Sequence, residues 1–236
     1  MKLRSAALSD TGKLRGENQD RCIRDEALGL FGVADGVSGL PAGAEAAQAA
    51  ADALVRAFRR LPPGAEPDLV EVVKQVSRAV TERGLDVSPL MGIATTLVFG
   101  RMLPGRLRIA HVGDSRCYAL QEGRFGCLTE DHSVENEARR QRQPLPYAGV
   151  NRGALVRCVG QLPLPIADVI ERPVRAGDRF LFCTDGVTRV VAEPELRALV
   201  AGAAEPAPAL QQLIALVLAR GAPDNASAVL VLVDEA

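Results

Sequence analysis

The chain has 236 residues, 47% of them hydrophobic and 24% charged, so its composition is that of a globular protein with enough length to bury a large core. Lys and Arg total 28 against 29 Asp and Glu, a formal net charge of -1, which leaves no global positive field to hold a nucleic acid or an anionic membrane. Five cysteines, at 22, 117, 127, 158 and 183, form no CxxC pair, so buried free thiols are expected rather than a disulfide framework or structural zinc.

The opening MKLRSAALSD lacks the apolar stretch of a signal peptide, and no apolar run reaches about 18 residues, so a soluble, cytoplasmic protein is expected. LGLFGVADG (28–36) is a short apolar run that ends in Asp-Gly, the form of a buried strand stopping at a turn. Gly43 to Arg60 places Ala46, Ala50, Leu54 and Phe58 on one face and predicts a helix. LPPGAEP (61–67) breaks the pattern. Asp68 is then placed to cap a second helix, with Leu69, Val72, Val73, Val76 and Val80 on its apolar face and Gly84 at its end.

The period changes at TTLVFGRM, GRLRIAHV, SRCYALQEG and RFGCLT, which read as an antiparallel meander because turn signals separate short apolar and β-branched runs. Residues 133–142 predict a charged helix, and QRQPLPYAGVNRG (141–153) a long exposed loop. Strands are expected near 155–158, 167–173 and 179–184, then a helix at 207–220 closing on Arg220-Gly221, and a last strand in ASAVLVLVD. No internal repeat or linker interrupts the chain, so one domain of mixed α and β over 1–236 is the economical reading.

The acids are not evenly spread. Asp35-Gly36 and Asp185-Gly186 each end an apolar run, Asp20 precedes a strand, Asp114 lies between two strands, and Asp224 precedes the last one. Any one of these is ordinary turn chemistry. Together, carboxylates converging at the ends of buried strands repel one another and require protons or a cation. Oxygen donors without His or Cys beside them select Mg²⁺ or Mn²⁺ rather than zinc.

GKLRGENQD, LFGVADGVSGLPAGAEAA, GIATTLV, HVGDSRCYAL, LTEDHS, GDRFLFCTDG and APDNASAVLV follow one another in the order and spacing of the bacterial metal-dependent protein phosphatases of the PP2C type. The chain resembles that family from about Ser5 to Val233. The resemblance implies an α+β fold, a four-layer αββα sandwich of two central antiparallel β-sheets flanked by helices. It implies two core Mn²⁺ or Mg²⁺ ions, with Asp35 bridging them, the Gly36 carbonyl on the first, Asp185 and Asp224 on the second, and Asp20 acting through water. Arg15 matches the arginine that grips the phosphate, and Asp114 with Asp185 matches the pair that holds a third, weaker ion.

Arg15, Asp35 and Asp185 form the implied catalytic set, and the implied reaction is hydrolysis of phosphoserine or phosphothreonine in a protein substrate by a metal-activated water, with no protein nucleophile. The expected partners are a phosphoprotein and the bacterial Ser/Thr kinase whose action is reversed; no nucleic acid or membrane is expected, and a monomer is favoured. Gln19 stands where many members have Glu, Val37 where eukaryotic members have His, Ser38 where a second Gly is usual, and GIATT varies GMGTT. A catalytically weak relative that binds a phosphoprotein as a regulatory module is therefore the alternative.

Rival constellations are weaker. CTDGVTR spells the C-x5-R phosphate loop of cysteine-dependent phosphatases, with Cys183 and Arg189, but Asp185 inside it would oppose both thiolate and phosphate. Asp131-His132-Ser133 has the residue types of a hydrolase triad, yet adjacent residues cannot face one another, and capping of the next helix by Asp131 or Ser133 is expected. His111 is expected to be structural, Gly177-Asp178 a hairpin turn, and Arg139, Arg140 and Arg142 a solvated face, with a rim for acidic phosphopeptides as the minority reading. The 141–153 loop occupies the place of the family's variable flap and is expected to influence substrate choice.

Overall fold

The computed structural model describes residues 1–62, 65–147 and 149–236. In chain order the elements are Lys2–Asp10 (β1), Asp20–Asp25 (β2), Leu30–Asp35 (β3), Gly43–Arg59 (α1), Leu69–Val87 (α2), Leu97–Leu103 (β4), Arg106–Val112 (β5) and Arg116–Gln121 (β6). Then follow Arg124–Cys127 (β7), Val134–Gln141 (α3), Asp168–Pro173 (β8), Arg179–Cys183 (β9), Asp185–Thr188 (α4), Glu193–Gly202 (α5), Pro206–Ala219 (α6) and Ala226–Glu235 (β10). The strands form two antiparallel sheets, ordered β1-β10-β9-β6-β7 and β2-β3-β4-β5-β8.

Strands such as β3 and β10 are apolar without alternation because both of their faces are covered. Between the sheets, Phe31, Val33, Val98 and Ile109 meet Phe180, Phe182, Val229 and Val231. Ala46, Ala50, Leu54 and Phe58 of α1 pack with Val72, Val76 and Val80 of α2 on the outer face of the second sheet, against Leu97 and Phe99. Leu196 and Val200 of α5 and Leu210, Leu213, Ile214 and Val217 of α6 cover Leu181 and Leu230 of the first sheet. Helices, sheet, sheet and helices thus make the expected four layers with three apolar seams.

Several local expectations need correction. The segment 95–129 is not one meander: β4 pairs β5 and β6 pairs β7, but β5 pairs onward with β8 and β6 with β9, so Gly113-Asp114-Ser115 crosses from one sheet to the other. Gly177-Asp178 likewise links strands of different sheets rather than a hairpin, and the buried Asp178 carboxylate accepts from Arg175 N and Gln121 Nε2. Residues 155–158 are not a strand; Leu155 makes one isolated bridge with Ser133. α2 runs past Gly84, whose bare Cα lets Ile93 pack close. The break at 61–67 includes Pro63 and Gly64, and the 141–153 loop includes Ala148, which lie outside the described residues.

The caps follow the sequence more closely. The Asp68 side chain accepts from Val70 N at the start of α2, and Ser133, not Asp131, caps α3 by accepting from Asn136 N. β1 and α5 carry little periodic signal, since β1 is a half-exposed edge strand and α5 buries only Leu196 and Val200. No helix among the described residues is long and apolar enough to cross a membrane.

Candidate functional site

Antiparallel register brings the five aspartates to one end of the sandwich. Asp20 opens β2 directly opposite Asp35, which closes β3. Arg116 at the start of β6 pairs with Cys183 at the end of β9, so Asp114, just before β6, comes beside Asp185, just after β9. Ala228 pairs with the same Cys183, which brings the start of β10, and Asp224 before it, to that end. Arg15, Asp35, Gly36, Asp114, Asp185 and Asp224 line one cleft of about 460 Å³, and Asp20 lies buried beneath it.

Neutral groups hold these acids in place. The Asp35 backbone N–H donates to Thr96 Oγ1 at 3.1 Å, its carbonyl accepts from Thr95 Oγ1 and Thr96 N, and Thr96 Oγ1 is 2.8 Å from Ser115 Oγ. The turns bearing Asp35 and Asp114 are thereby tied together. Thr184 Oγ1 donates to Asp20 Oδ2 at 2.9 Å and accepts from Ser227 N. Asn225 accepts from Gln19 N and donates to the carbonyls of Thr11 and Glu17, pinning the 11–19 loop over the cleft. These supporting hydroxyls and the Asn225 amide were not legible as site residues, because their partners are 19 to 214 positions away.

Two glycines are dictated by close approach. A Cβ on Gly186 would lie 1.9 Å from Asn225 O, and one on Gly36 would lie 2.5 Å from the Gly43 carbonyl. The first lets the Asp185 turn meet the Asp224-Asn225 turn; the second lets β3 end against the start of α1. Gln19 packs its amide against Gly43 while its backbone carbonyl accepts from Gly36 N. Ser38 bonds Arg15 Nη2 at 3.1 Å, so the serine in the glycine position steadies the arginine.

The electrostatics are those of acids crowded together. Burial raises the carboxyl of Asp35 well above its usual range, and Asp20, Asp185, Asp114 and Asp224 raise it further in that order. Burial likewise raises Asp20 and Asp185, and pushes Asp114 up to about 7. Two guanidiniums enter the cluster: Arg15 makes a bidentate pair with Asp224, both bonds 2.9 Å, and Arg189 bonds Asp185. Among the described residues no three His, Cys, Asp or Glu side chains already form a metal cage. The donor set nonetheless fits hard cations: all oxygen, mutually repelling, with the buried Asp20 Oδ1 lacking any partner among the described residues.

Apart from Arg189, the rival residues lie elsewhere or face elsewhere. Cys183 is fully buried in β9 and burial raises its thiol far above the usual range, the opposite of an activated nucleophile. His132 turns from Ser133: its Nδ1 accepts from Gly113 N at 3.1 Å and its Nε2 is 3.3 Å from Asp168. His111 is buried against it, ring centroids 4.7 Å apart, with neither ring nitrogen partnered among the described residues. Asp131 pairs with Arg116 through two bonds. Arg139 bonds Glu130 and Arg140 reaches Asp168, while Arg139 also lines a neighbouring cleft of about 440 Å³.

A sandwich of two antiparallel sheets with an acidic cleft at one end is the arrangement that the resemblance of the motifs implies. A model of the family described as "Protein phosphatase 2C" matches residues 15–230, and the chain belongs to that family. It is 31% identical over 233 residues to the serine/threonine protein phosphatase PstP of Mycobacterium tuberculosis, covering 96% of this chain but only 44% of that relative. It is 29% identical to the serine/threonine phosphatase stp of Listeria innocua, with 81% of each chain covered. The crystal structure of the PstP catalytic domain in complex with 2 manganese ions superposes with a TM-score of 0.83 at 30% identity, over 98% of this chain and 99% of that one.

Proposed function

We propose that this protein hydrolyses phosphoserine and phosphothreonine esters in protein substrates, using two divalent cations, Mn²⁺ or Mg²⁺, and reversing the action of a Ser/Thr kinase in the cytoplasm. The observation that carries the proposal is the convergence of Asp20, Asp35, Asp114, Asp185 and Asp224 on one cleft, with an orphaned Asp20 oxygen below and an arginine at its mouth. The two ions described in the PstP complex support it.

Asp35, the Gly36 carbonyl, Asp185 and Asp224 would hold the two core ions, with Asp20 supporting them from beneath through water. When bound, such a pair lowers the pKa of a water and stabilises charge on the attacking and leaving oxygens. Thr95, Thr96 and Ser115 fix the Asp35 turn, and Thr184 fixes Asp20, so the carboxylates are oriented before substrate arrives. Arg15 is exposed at the cleft and among the described residues its guanidinium bonds Asp224 and Ser38; once Asp224 turns to a cation, its planar fork would suit two phosphate oxygens. Val37 offers no proton, so the departing alkoxide takes one from water or from another acid of the cleft.

The test is turnover of a phosphothreonine peptide. Hydrolysis appears with added Mn²⁺ or Mg²⁺ and disappears with chelator. Peptide binding without turnover at saturating Mn²⁺ would leave the regulatory module as the function.

A further inference from the structure

Asp114 and Asp185, the pair that the resemblance assigns to a third ion, already share a cation. α4 begins at Asp185, and Arg189 stands four residues on, its backbone N–H donating to the Asp185 carbonyl at 2.8 Å. That spacing lays the guanidinium over the carboxylate. Arg189 Nη2 bonds Asp185 Oδ2 and lies 3.8 Å from Asp114 Oδ2, while Nη1 lies 4.0 Å from Asp224 Oδ2. The side chain is 58% exposed and could extend into water, yet its head is turned in toward three acids.

We propose that the Arg189 guanidinium is a built-in cation that takes the place of the third divalent ion between Asp114 and Asp185. This rests on the reading of the other acids as ligands of two core ions. A guanidinium keeps its charge at every working pH, and its fork serves two carboxylates at once. Its tether holds it beside the pair at a high effective concentration. Two core ions already outweigh the negative charge that Arg15 and Arg189 leave uncompensated on the acids. A third ion would therefore have to displace Arg189 or sit against it, repelled by every other cation in the cleft. The protein thus meets the charge demand of Asp114 and Asp185 without drawing on free metal.

Mn²⁺ binding to the full chain, counted by equilibrium dialysis and located by anomalous diffraction from crystals soaked in Mn²⁺, tests this. The parent protein is expected to bind two ions, Arg189→Gln three, and Arg189→Lys, which keeps the charge, two. Adding Asp114→Asn to Arg189→Gln removes the third ion again. A third ion between Asp114 and Asp185 in the parent, or two ions in every variant, overturns the role of Arg189 and leaves the two-ion reading standing. No bound ion in any variant overturns both.

Discussion

Asp20 and Asp35 face each other as register partners at the adjoining ends of β2 and β3, and the inner oxygen of Asp20 has no hydrogen-bond partner among the described residues. Burial and this proximity raise the Asp35 carboxyl well above its usual range. A carboxyl with a raised folded-state pKa binds more protons folded than unfolded, so stability falls as pH rises above the unfolded value. Asp35→Asn does not titrate. In chelator it is expected to gain on the order of 1–3 kcal/mol over the parent at pH 8, and less at pH 5. It is also expected to lose the rise in Tm that Mn²⁺ should give the parent if Asp35 holds the core ions. Urea unfolding and thermal melts, each with and without Mn²⁺, measure both effects.

Cys183 and Asp185 sit two residues apart and give opposite outcomes. Cys183→Ser is expected to keep kcat within about 2-fold while losing about 1–3 kcal/mol of stability to a poorly partnered buried hydroxyl. Asp185→Asn is expected to fold but to lose at least about 100-fold in kcat/KM, since it removes charge from the proposed metal centre. The reverse pattern would restore the cysteine mechanism.

The buried imidazole of His111 sets an acid limit. Burial holds it down to about 3 from an ordinary value of 6.5, so between those values the folded state binds fewer protons than the unfolded state. Its contribution is present above pH 6.5 and is lost as pH falls. His111→Leu removes two unpartnered ring nitrogens and is expected to match the parent within about 1 kcal/mol at pH 7.5. Between pH 6 and 5 its stability falls less steeply, by up to about 1.4 kcal/mol per pH unit, which unfolding titrations across that range would show.

Ala42 precedes α1 at φ 53 and ψ 43, a left-handed conformation that an alanine resists, and it offers no capping side chain. Ala42→Asn tolerates that conformation and is expected to raise stability by about 1 kcal/mol, with Ala42→Gly close behind. Denaturation midpoints decide it; a loss in both would mean that the alanine methyl, packed beside the α1 and α2 cluster, matters more than the backbone.

The loop 141–153 places Asn151 and Gly153 on the wall of the acidic cleft. Its replacement by a short Gly-Ser linker is expected to change relative kcat/KM among phosphopeptides of different flanking sequence by several-fold. Turnover of a small aryl phosphate, which cannot reach the flanks, stays near the parent. Unchanged selectivity among the peptides would remove the loop from substrate choice.

Strands β3, β4, β9 and β10 and helices α1, α2 and α6 were legible because each buries a run or a stripe of apolar residues long enough to set its own period. The Asp-Gly stops were equally local, since a turn residue acts on its own backbone. β1 was not legible, because its edge position leaves its side chains half in water. The meander was misread because local turn signals at Gly113-Asp114 do not say whether the chain folds back on its own sheet or crosses to the other.

The sequence by itself determined the acid inventory, the order of its motifs and the absence of a global positive field. The tertiary structure decided which acids meet: register sets Asp20 against Asp35, and the crossover between sheets carries Asp114 to Asp185. It also turned Arg189 from a chance member of a cysteine motif into a cation among carboxylates. Electrostatic partnership depends on distance in space and on burial, and neither follows from the chain until the sheets have paired.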